Sequence, residues 1–209
     1  MRDLVIWGCG GMAREINHLC EQLGRKVVGF LDERSPLKGT IVDDVPVLGD
    51  ISDIGPLCDE VAIVCAGVGD PALKKHFAEK TNAAGFQLAG PLVHPAIRLS
   101  ARSSVQDGSV LCEGVVITVN VHIGRHVVIN RNATLGHDAE VGDYVTVSPG
   151  ANVSGNVRIG EGCFVGTGAS IREKIEIGPW AVVGGGAFVK DDVPAGCTVV
   201  GVPASVLEQ

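Results

Sequence analysis

Every sixth residue from Val93 to Val189 is aliphatic, and no insertion breaks the series. It runs Val93, Leu99, Val105, Leu111, Ile117, Ile123, Ile129, Leu135, Val141, Val147, Val153, Ile159, Val165, Ile171, Ile177, Val183, Val189. Two residues ahead of each, from Ser103 onward, stands a mostly small residue, as at Ser109, Ala133, Ala139, Ala151, Cys163, Ala169, Ala181 and Ala187. The residue after each aliphatic is often Gly, Asn or Ser, as at Gly124, Asn130, Gly136, Gly142, Gly160, Gly166, Gly178 and Gly184. A period of six fits neither the helical repeat of about 3.6 nor the alternation of a hairpin. It predicts short strands separated by tight turns. The aliphatic residue points inward, the small residue packs near a corner, and Gly or Asn accepts the positive φ of the turn. Hexapeptide repeats of this kind stack as a parallel β-helix, each coil covering the apolar edge of the one before.

Residues 1–92 lack this period. Leu4-Val5-Ile6-Trp7 is a buried-strand run that passes through Gly8-Cys9-Gly10-Gly11-Met12-Ala13 into a helical stretch ending near Leu23. Residues 26–33 read as a second strand ending at Asp32 and Glu33, and residues 61–67 as a third, followed by a helix from about Pro71 to Ala84. The alternation implies βαβ organisation around a parallel sheet. Gly8-x-Gly10-x-x-Ala13, with Asp32 about twenty residues on, matches a dinucleotide-binding fingerprint. The glycines let a phosphate approach the backbone, and the helix start offers N–H groups and a positive dipole end. About 90 residues are too few for the usual two-halved dinucleotide fold. One mononucleotide-sized half favours a nucleotide diphosphate-sugar over NAD.

Composition narrows this picture. The net charge is −7 and no basic stripe appears, which argues against nucleic acid. No apolar run reaches the ~18 residues of a membrane span, and the N-terminus lacks a signal-peptide layout, so a soluble, cytoplasmic protein is expected. The seven cysteines are scattered without a CxxC pair, which points to free thiols in a reducing compartment. His122, His126 and His137 lie on the repeat, but their spacing does not match a zinc site, and no metal is expected.

A βαβ nucleotide domain followed by hexapeptide repeats resembles the bacterial sugar acyltransferases of the sialic acid O-acetyltransferase-like family. That family includes N-acetyltransferases of the bacillosamine and perosamine type, which act on nucleotide-linked 4-amino-4,6-dideoxy sugars. The most specific stretch is Asn130-Arg-Asn-Ala-Thr-Leu-Gly-His137-Asp138-Ala-Glu-Val-Gly-Asp, continuing to Ser148-Pro149-Gly150-Ala151 and Gly155-Asn156-Val157. The ending Gly201-Val202-Pro203-Ala204 belongs to the same pattern. The resemblance implies three hexads per coil and a left-handed coil. It implies His137 as catalytic base with Asp138 raising its basicity. It places Gly10, Gly11, Met12, Asp32, Glu33 and Gly67 at the nucleotide-sugar, and Thr146, Thr167 and Gly185 at acetyl-CoA. A homotrimer with CoA between chains is also implied. Met12 and Thr146 each stand where a histidine is common in the family, and Ser205 where a lysine is usual.

The chemistry of the pair stands beside the resemblance. An amine attacking a thioester must lose a proton, and a neutral imidazole suits that task near neutral pH. With Leu135 and Ala139 inward, His137 and Asp138 are expected to point outward. The sequence therefore predicts an α/β Rossmann-like domain over residues 1–92, a left-handed parallel β-helix over 93–194, and a tail over 195–209. The expected activity is acetyl-CoA-dependent N-acetylation of a nucleotide-linked amino-sugar for bacterial surface glycan synthesis. O-acetylation of sialic acid or another sugar hydroxyl, and a non-catalytic nucleotide-sugar-binding role, are the alternatives, and an NAD-dependent oxidoreductase is disfavoured.

Overall fold

A computed structural model describes residues 2–207. The first residue of the expected N-terminal domain and the last two of the expected tail lie outside the described residues. Strand β1 (Asp3–Trp7) is buried on both sides because its residues Leu4 to Trp7 are all apolar. Helix α1 (Gly11–Gln22) returns the chain to strand β2 (Val27–Leu31), which pairs with β1 in parallel. A short hairpin follows, β3 (Ile41–Val42) and β4 (Val45–Gly49), with β4 parallel to β2. Strand β5 (Val61–Val64) then pairs on the other side of β1. Helix α2 (Pro71–Ala83) and strand β6 (Gln87–Leu88) complete the layer. The strand order β3-β4-β2-β1-β5-β6 reverses direction between β1 and β5. In open α/β sheets, ligands bind in the crevice beyond the strand ends at such a reversal.

From Leu92 onward the chain forms the left-handed parallel β-helix expected of the repeat. Residue i pairs with residue i + 18, as in His122 with Glu140 and Val128 with Thr146, so three hexads make one coil. The two-residue strands stack into three faces. One face carries Leu92, Val110, Val128, Thr146, Phe164 and Val182 outward, the second Val116, Thr134, Asn152, Ser170 and Phe188, and the third Ser104, His122, Glu140, Arg158 and Glu176. All the six-step aliphatics from Leu111 to Val189 are buried, as are the small residues from Ser109 to Ala187. Leu99 departs from the pattern. It is 39% exposed, since no strand forms between Val93 and Ser104 to carry it inward. At the far end, Thr198–Val200 pairs with Val182–Val183, so part of the expected tail continues the first face.

The glycines of the repeat do different work from the expectation. Positive φ falls three residues after the inward aliphatic, two beyond the position those glycines occupy, at Asn120, His126, Asn132, Asp138, Tyr144, Asn156, Lys174 and Trp180 and at the glycines in register with these. Gly136 and Gly166 are needed for close stacking instead. A Cβ at Gly136 would sit 2.5 Å from Gly155 N, and one at Gly166 would sit 2.5 Å from Gly185 N.

The α/β layer docks on the first face. Ala13, Ile16 and Cys9 share one apolar cluster with Leu92, Val110, Cys112 and Val128. Burying those outward aliphatics contributes roughly 1.5–3 kcal/mol each. Two ion pairs flank the seam, Arg131 to Glu15 and Lys75 to Glu161, each at 2.8 Å.

Candidate active site

Two sets of residues bear chemistry, and the fold keeps them apart within one chain. The first lies beyond the ends of β1, β2 and β5, in a pocket of about 520 Å³. Gly10, Gly11, Met12, Asp32, Glu33 and Gly67 all line it, so the fold brings the six expected nucleotide residues together. Gly10 caps α1 without any side-chain bond. No protein atom lies within 4 Å of where a Cβ would stand at Gly10 or Gly11. Their missing side chains leave open space next to unpaired helix N–H groups, as an anionic group requires. Gly67 has a packing reason as well, since a Cβ there would collide with Trp7 O.

The acidic pair of the pocket is more committed than the fingerprint implies. Asp32 Oδ1 accepts from Arg34 N (3.0 Å) and Arg34 Nε (2.7 Å), while Oδ2 accepts from Arg34 Nη2 (2.7 Å) and Cys9 Sγ (3.3 Å). The Arg34 guanidinium beside it holds the Asp32 carboxyl below its usual range, and burial pushes the Cys9 thiol up. Glu33 Oε1 meets Lys80 at 2.7 Å and His76 at 3.0 Å, and Lys80 chiefly lowers its pKa. Arg34, Cys9, Asp70 and Phe77 also line the pocket and escaped the sequence reading. Arg34 carried a faint signal, following directly on the acidic pair.

The second set lies on the β-helix corner between the second and third faces. The side of the triangular coil opposite this corner is the first face, on which the α/β layer docks, so the pocket and this corner occupy different sides of the molecule. Asp138 adopts φ +59°, which folds its carboxylate back toward the preceding residue. Asp138 Oδ2 lies 2.8 Å from His137 Nδ1, and Oδ1 accepts from Asn120 Nδ2 at 3.0 Å. These two bonds, Asn120's first, hold the Asp138 carboxyl below its usual pKa. An ionised carboxylate only accepts, so Nδ1 donates the bond between the two residues, which in the neutral imidazole leaves the lone pair on Nε2. The imidazole is more than half exposed and lies over Gly155 one coil on. A Cβ at Gly155 would stand 2.5 Å from His137 Nε2.

The three expected acetyl-CoA residues separate into two places. Thr167 and Gly185 are exposed neighbours on successive coils of one corner, where Gly186 N donates to Thr167 O at 2.8 Å. Thr146 is buried on the docked face, its hydroxyl donating to Gly69 O at 2.7 Å. Among the described residues no group of three or more His, Cys, Asp or Glu is placed to hold a metal, and no helix is long and apolar enough to cross a membrane. His122 meets Ser104 Oγ at 3.0 Å, and His126 stacks on Tyr144 with ring centroids 5.3 Å apart.

Comparison with known proteins agrees with this two-part construction. Residues 3–81 match the PglD N-terminal domain, and residues 120–155 and 156–191 match the bacterial transferase hexapeptide of six repeats. No protein with a curated description matches the chain. The acetyltransferase domain of PglB from Neisseria gonorrhoeae FA1090 superposes with a TM-score of 0.90 at 32% identity, covering 99% of this chain and 100% of that one. PerB from Caulobacter crescentus, solved in complex with CoA and GDP-perosamine, gives 0.90 at 28% identity, covering 100% and 98%. WeeI from Acinetobacter baumannii AYE gives 0.86 at 29% identity, covering 99% and 100%.

Proposed function

We propose, from the premise that the chain belongs to the acetyltransferases built of a PglD N-terminal domain and hexapeptide repeats, that it moves the acetyl group of acetyl-CoA onto the amine of a nucleotide-linked amino-sugar. The observation that carries this is the His137–Asp138 pair. It is an imidazole with one nitrogen tied to a carboxylate at 2.8 Å and the other without a hydrogen-bond partner among the described residues, on an exposed corner. The relatives support the substrate pair, since PerB was solved with both CoA and GDP-perosamine.

The reaction follows from those groups. The sugar amine attacks the thioester carbonyl carbon while His137 Nε2 takes the proton that nitrogen must lose. Asp138 stabilises the imidazolium that forms. The tetrahedral intermediate collapses as the C–S bond breaks. The thiolate of CoA leaves and recovers the proton from the imidazolium, so a C–N bond replaces the C–S bond. Positioned base catalysis of this kind is worth roughly 10²–10⁴ in rate.

One chain does not suffice for this step. The pocket opens beside the docked face, whereas His137 stands on the opposite corner of the coil. An amine held in one chain's pocket meets the His137 of a neighbouring copy, as in a homotrimer with acetyl-CoA lying between chains near Thr167 and Gly185. Asp32, Glu33 and Arg34 of the pocket wall orient the nucleotide, with Lys80 bonded to Glu33. The cell compartment that supplies acetyl-CoA and nucleotide-sugars is the cytoplasm, and the product is a building block for a surface glycan.

Thiol release from acetyl-CoA tests the proposal, using UDP-, dTDP- and GDP-4-amino-4,6-dideoxy sugars and free sialic acid as acceptors. Release with one nucleotide amino-sugar, lost in His137→Ala, is the expected result. Release with sialic acid alone would replace N-acetylation by O-acetylation.

A further inference from the structure

We propose that Lys74 and Thr146 are positioning residues for the acceptor, holding the nucleotide loop Gly67–Asp70 at a fixed height on the β-helix. The proposal rests on the functional reading above. Lys74 projects from α2 into the seam and is fully buried, at 0% exposure. Its Nζ donates to Val145 O at 2.8 Å and to Thr146 Oγ1 at 2.7 Å. The Thr146 hydroxyl, having accepted that bond, donates to Gly69 O at 2.7 Å. Gly69 and its neighbours Gly67, Val68 and Asp70 line the nucleotide pocket. A relay thus runs from helix α2 through the strand at Thr146 to the wall of the pocket.

The chemistry of the relay favours positioning over adhesion. A buried amine stabilises a seam poorly compared with an apolar side chain of the same length. Among the described residues no carboxylate is bonded to it; burial drives its pKa well down, and both of its bonds go to uncharged oxygens. Directed bonds in a buried seam specify distance and angle as apolar packing does not. Thr146 belongs to the same coil as His137, between the pairing positions Val128 and Phe164. Fixing the loop to that coil fixes each pocket relative to the β-helix, and through the assembly relative to the neighbour's His137. Thr146 is 2% exposed and its hydroxyl is used within the chain. It therefore acts on the acceptor side, whereas the family resemblance places it at acetyl-CoA.

Thr146→Val separates these roles, because it keeps the side-chain volume and leaves Lys74 bonded to Val145 O. Steady-state kinetics are measured against both substrates for wild type, Thr146→Val, Thr146→Ser and Lys74→Met, with a melting curve for each. In Thr146→Val the KM for the nucleotide amino-sugar rises about tenfold. The KM for acetyl-CoA stays within about twofold, and Thr146→Ser returns both to wild type. A rise confined to the acetyl-CoA KM overturns the proposal, and so do unchanged values for both substrates. If the wild type transfers no acetyl group at all, the functional reading fails separately. Calorimetric titration of UDP, dTDP and GDP then still decides the matter. Nucleoside diphosphate binding about tenfold weaker in Thr146→Val sustains the role of the relay, and equal binding refutes it.

Discussion

A histidine acts as a base through a nitrogen whose lone pair is free, and the residues around His137 leave Nε2 in that state. Asp138 takes the other nitrogen, Asn120 fixes Asp138 from the far side, and Gly155 makes room beneath the ring. His137→Ala lowers kcat by about 10²–10⁴ while leaving nucleotide and acetyl-CoA binding intact. Asp138→Asn costs less than His137→Ala, since an amide oxygen still accepts from Nδ1 but no longer balances the imidazolium charge. Gly155→Ala pushes the ring off its position and lowers kcat by about 10²-fold. Single-turnover acetyl transfer by the three variants checks this ranking. Gly155 stands in the sequence as part of a family pattern. Its physical reason became visible only when the coil brought it under His137, eighteen residues away.

Among the elements, the column of left-handed residues at the corner between the third and first faces is the least expected. His126, Tyr144 and Trp180 all adopt positive φ there, with Lys75 of α2 over Tyr144 at 5.9 Å and over Trp180 at 5.3 Å. Bulky residues in that conformation are uncommon, which is why the sequence pointed instead to the glycines two residues earlier. The ladder is bought by stacking, with His126 lying over Gly108 and Trp180 over Gly162. His126 is buried, its Nδ1 has no hydrogen-bond partner among the described residues, and burial lowers its pKa to about 4 from 6.5. The charged and titratable groups around it are Lys74 from α2 and Arg125, Asp107, Asp143 and Tyr144 from the coils. A depressed folded value means that the unfolded chain binds the proton first. Stability from His126 is present above 6.5 and is lost as pH falls toward about 4, a contribution of roughly 3 kcal/mol. Denaturant unfolding at about pH 7 and about pH 4.5 measures this. His126→Phe flattens the difference, and an equal slope in wild type and variant would contradict the assignment.

At the scale of the whole molecule, the interior of the β-helix was legible because its period is regular over sixteen hexads' worth of chain and every sixth residue is aliphatic. The hairpin of β3 and β4 was not, since strands of two and five residues among Gly, Asp and Pro carry no periodic signal. Nor was the burial of Thr146, which depends on α2 lying across it and not on its own neighbours in sequence. The separation of pocket and base is likewise a property of the docked assembly of domains. It leads to the central claim, that one copy presents the amine and the next supplies His137. Mixed assembly tests it most directly. Co-expressed His137→Ala chains, which keep the pocket, and Gly11→Phe chains, which fill it, are each inactive alone. Random mixing gives about a quarter of the interfaces a sound pocket facing a sound His137. The account predicts acetyl transfer restored to about that fraction of wild type, and mixed oligomers as inactive as either parent would contradict it.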